Sequence, residues 1–308
     1  CQELLQKLAQ RFIFPGSFIP SFGAILESVR NESKLVLTHA EDIGFHYART
    51  LHDWCERFMA QRDKLDSMGY DEANAFSFAY YLMALRGVEA LPPPEGVVDL
   101  NDDQLVRVSI ILPAFNKWIL TLNCLRSLAV AENGASSFEV ILADDASTDE
   151  TAAIAARNPW LRHVRLERNS GFVDNCNHAA AQARGEVLLF LNNDTLVGNG
   201  WLGGLLASLQ RRPGAGVVGS QVYGSDGGLL ESGGILWGNG DVWNHGRGFG
   251  PERWFELDHE REVDYVSGCA MAIRRELWQQ LDGFDTRYRP AYCEDADYKQ
   301  RCYLNNVE

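Results

Sequence analysis

Between residues 107 and 191, four short apolar runs alternate with three amphipathic segments. RVSIIL (107–112), FEVILA (138–143), HVRLE (163–167) and EVLLFL (186–191) read as strands: short and rich in β-branched residues. Between them, Trp118, Leu122, Leu125 and Ala129 mark one helix face. Residues 148–157 form a second, short helix with Ser147 or Thr148 as its cap, and Val173, Cys176, Ala180 and Ala183 mark a third. A β-α-β-α-β-α-β order leaves little freedom of topology, because parallel strands need crossovers and crossovers are right-handed. The predicted class is α/β, a Rossmann-like, mostly parallel sheet flanked by helices.

Upstream the chain changes character. LPPPEGVVDLNDDQ (91–104) joins three prolines, a glycine and a cluster of acids, and predicts a linker over residues 89–106. Residues 1–88 look like a smaller, mainly helical α/β piece. Leu51, Trp54, Phe58 and Leu65 give an amphipathic helix over 49–66, and a second helix is expected over 71–85. At 308 residues the chain has room for about two domains. It starts at Cys1 rather than Met, so it is expected to be part of a longer protein.

Composition removes some functions. A net charge of −14 without a basic run argues against nucleic acid or an anionic membrane as the main partner. Seven scattered cysteines without a C-x-x-C pair fit a reduced, cytoplasmic setting. No run reaches the roughly 18 apolar residues of a membrane span, so any membrane association is expected to be peripheral.

The run Val187-Leu188-Leu189-Phe190-Leu191 ends in Asn192-Asn193-Asp194. In open α/β sheets ligands bind beyond the carboxyl ends of strands. A carboxylate beside two amides there suits a divalent cation that holds a phosphate; the other reading is a simple turn. Two more strand ends carry polar clusters, Pro113-Ala114-Phe115-Asn116 and Asp144-Asp145 followed by Ala146-Ser147-Thr148-Asp149. In a parallel sheet all three lie on one edge, which favours a site over turns. The site lacks G-x-G-x-x-G after the first strand, and no P-loop is present, so a phosphate ligand needs a cation bridge. Farther on, Glu294, Asp295 and Asp297 open a helix, either as dipole-favoured N-terminal acids or as a general base at the mouth of the site. GGILWGNGDVWNHGRGFG, with Trp254 shortly after it, holds Trp237 and Trp243 either for sugar stacking or for loop packing.

These motifs, with VSIILPAFN, EVILADDASTDET, NSGFVDNCNHAAAQARGEVLLFLNNDTLV, VDYVSGCAMAIRRELW, GFD and PAYCEDADY, resemble the family 2 glycosyltransferases over residues 107–303. The resemblance implies a GT-A fold and inverting transfer of a sugar from a nucleotide-diphosphate donor, a UDP-sugar above all. The acceptor would be a glycan or lipid-linked sugar in bacterial surface polysaccharide synthesis at the inner face of the membrane. Asn192-Asn193-Asp194 stands at the D-x-D motif, with Asp194 as the ligand of a divalent metal, Mg²⁺ or Mn²⁺. Asp145 stands at the acid that pairs with the nucleotide base, with Asp144 beside it among the nucleotide-sugar-binding residues, and Pro113, Ala114, Phe115 and Asn116 stand at the nucleoside loop. Asn175 and Asn177 stand on a helix edge facing the diphosphate or sugar. Glu294 and Asp295 stand at the catalytic E-D pair, Asp295 as the base. Asn192 replaces the family's first aspartate. The His that often completes the family's metal site has no evident counterpart, so it is expected beyond residue 308, and full activity is not expected of this chain alone.

FIFPGSFIPSFGAILES and EDIGFHYARTLHDWCERF resemble the C-terminal part of cyclopropane-fatty-acid synthase-like methyltransferases, over residues 10–85. Tyr47 falls at an active-site tyrosine of that family. Its S-adenosylmethionine loop has no match here, so that cofactor is implied only if further methyltransferase sequence precedes residue 1. A helical adaptor is the alternative reading.

Overall fold

The computed structural model describes residues 90–98, 105–131, 137–224, 227–249, 253, 256–257, 259–305 and 307. All belong to one unit, Ala90–Glu308. Tyr47 and the two helices expected upstream lie outside the described residues.

The four expected strands form β1 (Val108–Ala114), β2 (Phe138–Asp144), β3 (Leu161–Arg165) and β4 (Val187–Leu191). They pair in parallel, β3 with β2, β2 with β1 and β1 with β4. The helices between them are α1 (Trp118–Val130), α2 (Thr151–Arg157) and α3 (Phe172–Ala180). After β4 come α4 (Trp201–Arg211), β5 (Val217–Gly219) and two small hairpins. One hairpin is β6 (Val222–Tyr223) with β7 (Leu229–Glu231), the other β8 (Gly234–Leu236) with β9 (Val242–Asn244). The chain then returns to the sheet as β10 (Ala270–Arg274), followed by α5 (Arg275–Gln280) and α6 (Glu294–Leu304).

The sheet order is β3-β2-β1-β4-β10-β5, with β10 antiparallel to both neighbours. From β1 the chain steps outward to β2 and β3, then jumps back across to β4. Right-handed crossovers therefore put α1 and α2 on one face and α3 on the other. The reversal makes the gap between β1 and β4 a topological switch point, where such sheets open a crevice.

Both sheet faces are covered, so the central strands are apolar on both sides. On the α3 face, Ile111, Ile141, Phe190, Met271, Trp278, Phe284 and Tyr298 share one core cluster. Trp278 contacts Phe190 at 4.9 Å, Phe284 at 4.8 Å and Tyr298 at 5.3 Å between ring centres. Truncating such a fully buried ring costs about 3–5 kcal/mol. This cluster ties α5 and α6, which follow the antiparallel strand, to the parallel part of the sheet.

Two expectations change. The proline-rich stretch 91–98 does not hang free as a linker. Phe138 of β2 exchanges backbone hydrogen bonds with Gly96 and Val98 (3.0 and 2.8 Å), and Val98 is buried. Leu91 N–H donates to Asn158 Oδ1 (2.6 Å), and Trp160 Nε1 donates to Leu91 O (3.2 Å). The physical reason is register: β3 starts opposite Val140, leaving the edge beside Phe138 open. The second change is the cap of α2. The helix starts at Thr151, whose N–H and hydroxyl donate to Asp149. Ser147 and Thr148 are drawn off by Asn116 of the β1 loop.

At the far edge of the sheet, Glu139 is fully buried on β2. It accepts from Ser109 Oγ (2.6 Å), Arg184 N–H (2.7 Å) and Arg184 Nε (3.1 Å), with Arg162 at 3.5 Å. Glu139→Ala would leave these donors without their acceptor, and breaking a buried ion pair from one side costs about 3–5 kcal/mol. A loss of that size in urea unfolding is expected. A loss under about 1 kcal/mol, the usual worth of a surface pair, would show that the network is surface-like.

Candidate active site

The carboxyl ends of β1, β2 and β4 carry the three polar clusters on one edge, as parallel register requires. After β1, Pro113 and Ala114 are buried, Phe115 is 48% exposed, and Asn116 bridges to the β2 loop. Its N–H donates to Ser147 Oγ (2.9 Å), and its Oδ1 accepts from Thr148 N–H (2.8 Å). Across the switch point, Asn193 Nδ2 donates to Thr121 Oγ1 of α1 (2.8 Å). Asp194 is exposed beyond it.

The two acids after β2 behave differently. Asp144 is fully buried and committed to protein partners. Arg165, His163 (3.0 Å) and Ser147 N–H (2.8 Å) all bind its carboxylate. Burial alone would raise its pKa; the hydrogen bonds from His163, Ser147 and Arg165 outweigh it and bring it down to about 2. Expected as a ligand contact, Asp144 instead braces the loop. Asp145 turns the other way, its two oxygens accepting Ser170 N–H (2.7 Å) and Gly171 N–H (2.9 Å). Gly171 has φ +89, and a Cβ there would come within 2.6–2.8 Å of Pro290. Only glycine allows this approach, and it brings the loop under Asp145 against the segment that leads to Glu294 and Asp295.

Asn175 and Asn177, expected to face a diphosphate or sugar, both donate an amide N–H to the protein, while Asn175 Oδ1 is buried without a partner. Asn175 Nδ2 donates to Ala143 O (2.7 Å). Asn177 clamps Phe284, donating to its carbonyl (2.8 Å) and accepting its N–H (2.9 Å). The α3 crossover packs both residues inward, between the end of β2 and the loop before α6.

The E-D pair reaches the same edge through the antiparallel strand. Ala270 of β10 lies opposite Leu191 of β4, so the Ser267–Gly268–Cys269 turn before β10 stands beside Asn192. Asn192 N–H donates to Cys269 O (2.9 Å), and Gly268 N–H donates to Asp295 Oδ2 (2.9 Å). The Cys269 thiol, pushed up to about 11 mainly by burial, also feels the charge of Asp194. Asp295 therefore reaches across to the sheet rather than only capping its own helix. Asp297 does not join it, being paired with Arg301 at 2.7 Å.

Glu294 is 6% exposed, with Oε2 buried and without a partner. Burial first, then the neighbouring Asp295, push its pKa up to about 7 against two backbone hydrogen bonds. The sequence reading missed a third acid. Glu231 at the end of β7 is buried and accepts Ser267 N–H (3.3 Å). Burial and Asp295 raise it to about 6. Its only signal was an acid in a glycine-rich stretch, and a three-residue strand has no periodicity to reveal. Strain gathers here as well: of the six non-glycine residues with positive φ among the described residues, Asn116, Lys117, Ala146, Tyr292 and Cys293 lie in loops at this edge. Such strain is retained where a site needs it.

Asp194 is an exposed carboxylate at this edge. Among the described residues, no three His, Cys, Asp or Glu side chains group as a metal site. Three of the described histidines have partners elsewhere, His163 with Asp144 and His178 with Gln182, while His245 stacks edge-on to Phe249; His259 is exposed. One exposed carboxylate next to amide oxygens does suit Mg²⁺, which keeps water and takes phosphate oxygens for the rest of its shell.

A doubly wound sheet with an antiparallel insertion, and acids gathered at its switch point, has the architecture of the GT-A transferases. The chain belongs to glycosyl transferase family 2, whose family model matches residues 109–281. Residues 2–88 match the model of mycolic acid cyclopropane synthetase. The N-acetylglucosaminyl-diphospho-decaprenol L-rhamnosyltransferase of Mycobacterium tuberculosis is 31% identical over 185 residues, 53% of this chain and 60% of that protein. Tuberculostearic acid methyltransferase UfaA1 of the same species is 40% identical over 77 residues, 25% of this chain and 18% of that protein. The chain thus spans less than two thirds of either relative. A mannosyltransferase of Pyrobaculum calidifontis, solved with GDP-Man and Mn²⁺, shares the fold at a TM-score of 0.50 and 18% identity, covering 84% of this chain and 65% of that one.

Glu294 yields a signed prediction. Its folded pKa of about 7 lies above the ordinary 4.5, so the folded state is penalised only where the carboxylate must ionise. The penalty is absent below pH 4.5, grows as pH rises, and is complete above pH 7, at roughly 3 kcal/mol. Glu294→Gln should be more stable than wild type at pH 8 by up to that amount and equal to it at pH 4.5. Chemical unfolding at the two pH values checks this; a pH-independent difference would mean that Glu294 does not titrate as its burial requires.

Proposed function

We propose that this chain carries the donor site of an inverting glycosyltransferase that moves a sugar from a nucleotide diphosphate, most simply a UDP-sugar, to a hydroxyl of a glycan or lipid-linked acceptor. The observation that carries this reading is the backbone path from Asp295 through Gly268 and Cys269 to Asn192. It joins a carboxylate suited to proton transfer to the turn that bears a carboxylate suited to a cation. Phe115 offers an exposed ring for the nucleobase, and Asp145 keeps free lone pairs on oxygens that each accept one N–H.

In the reaction, the acceptor oxygen attacks the anomeric carbon from the face opposite the diphosphate. The bond from that carbon to the diphosphate oxygen breaks, and its electron pair leaves with the phosphate. Asp295 takes the acceptor's proton, and the single displacement from the opposite face inverts the anomeric centre. A divalent cation at Asp194 would supply Lewis-acid stabilisation of the leaving diphosphate. Glu294 lies buried beside the base, and Glu231 of β7 accepts an N–H from the turn that holds it.

Work at the inner face of a membrane, on a lipid-linked acceptor, follows from the same reading. Among the described residues, no helix is long and apolar enough to cross a membrane. A methyl-transferring activity has support from the match over residues 2–88 and from the likeness to UfaA1, and S-adenosylmethionine enters only with further sequence of that kind.

Calorimetric titration with UDP-, GDP- and dTDP-sugars, with and without Mn²⁺ or Mg²⁺, tests the donor site. Metal-dependent nucleotide binding that Asp194→Ala abolishes is the expected result; binding indifferent to both metal and Asp194 would remove the cation from the proposal. Asp295→Asn should keep donor affinity and lower transfer by about 10²–10⁴-fold, the usual worth of a general base. Unchanged transfer in that variant would take the base assignment away from Asp295.

A further inference from the structure

The β8–β9 hairpin carries two tryptophans that the donor chemistry does not use. Ile235 pairs with Trp243, and Leu236 with Val242. The turn closes through Trp237 N–H to Asp241 O (2.9 Å) and Gly240 N–H to Trp237 O (2.8 Å). Trp237 is 47% and Trp243 59% exposed, with their rings edge to face at 5.3 Å. With Gly238, Asn239 and Asp241 they line an open hollow. Asn239 Nδ2 donates to Asp241 Oδ2 (2.8 Å), which fixes the polar rim.

The root of the hairpin ties it to the candidate active site. Gly234 exchanges backbone hydrogen bonds with Asp264 and Tyr265 (3.2 and 3.0 Å), and Leu236 N–H donates to Asp264 Oδ2 (3.0 Å). Tyr265 OH donates to Asn244 Oδ1 (2.7 Å). Two residues after Tyr265 begins the turn bound by Asp295. Tyr265 itself, pushed up to about 12 mainly by burial, feels Glu231 and Asp295. The aromatic hollow is thus mounted on the segment that feeds the base.

Its chemistry selects the occupant. A patch of two half-exposed indoles marks a binding surface. An anionic lipid surface would call for lysines or arginines, but residues 234–244 contain none, and Asp241 is their only charge. Indole faces flanked by an amide and a carboxylate match a pyranose instead, with a C–H face for the ring and hydroxyls for Asn239 and Asp241. Ligand sites have this make-up, aromatic walls with a few placed polar groups.

We propose that the Trp237–Trp243 hollow is a saccharide-binding site that receives the acceptor glycan beside Asp295, an inference that rests on the glycosyl-transfer reading. The test probes the purified chain with an array of bacterial surface oligosaccharides and titrates the strongest binder calorimetrically, with UDP titrated in parallel. Trp237→Ala and Trp243→Ala should each weaken the saccharide by about tenfold or more, with UDP affinity held within about twofold. Trp243→Phe, which keeps an aromatic face, should recover part of the loss and guards against misfolding. No saccharide bound by wild type, or affinity unchanged in both alanine variants, overturns the proposal. So does wild-type binding to phosphatidylglycerol vesicles that the alanine variants lose, since the hollow would then be a lipid contact. Saccharide binding with no nucleotide binding in wild type would instead overturn the donor site and leave the hollow standing.

Discussion

Three consecutive residues hold the candidate site together. In the Ser267–Gly268–Cys269 turn, Ser267 N–H binds Glu231, Gly268 N–H binds Asp295, and Cys269 O receives Asn192 N–H. The turn exists because β10 runs against β4. A parallel strand in that place would begin at the opposite edge, and its leading turn would stand far from Asn192. One reversed strand therefore decides whether acids more than a hundred residues apart in sequence share a sheet edge.

The second bridge lies on the nucleoside side. Asp145 holds Ser170 and Gly171, and Gly171 presses against Pro290 just before the E-D helix. Asp174 and Arg289 add a two-pronged ion pair across the same seam, at 2.7 Å for each contact. That pair is partly exposed and contributes at most about 1 kcal/mol, so the glycine contact and the Asn177–Phe284 clamp set the spacing. The strained backbone at Asn116, Lys117, Ala146, Tyr292 and Cys293 is held against this framework. The aromatic cluster of Phe190, Trp278, Phe284 and Tyr298 lies beneath, and its burial offsets that strain.

Much of this was legible in the sequence, and the exceptions have physical causes. Strands buried on both faces announce themselves as apolar runs, so the ends of β1, β2 and β4 located Asn116, Asp145 and Asp194 on one edge. The contacts of Asn175 and Asn177 with Ala143 and Phe284 were not legible, because sequence gives the phase of a helix face but not what packs on its polar side. Ser147 and Thr148 looked like helix caps because capping chemistry and loop-bridging chemistry use the same hydroxyls. Residues 91–98 read as a linker because prolines mark an irregular backbone equally well when it is docked. Glu231 was hidden because its role depends on β10, whose pairing lies far away in the chain.

The acids at this edge divide by exposure, and exposure assigns what each can do. Asp194 stands in solvent, where a hydrated cation can approach. Asp144 is buried but saturated by donors, so its charge is spent on the fold. Asp295 lies between these extremes, half-buried and held by two backbone N–H groups, Gly268 and Ala296. Glu294 and Glu231 are buried without enough donors and rise toward neutrality, to about 7 and about 6. A base must be held in place and still reach its substrate, and a cation anchor must stay open to water. Under the proposed reaction, the cation anchor and the base therefore follow from how deeply each carboxylate sits in one continuous edge.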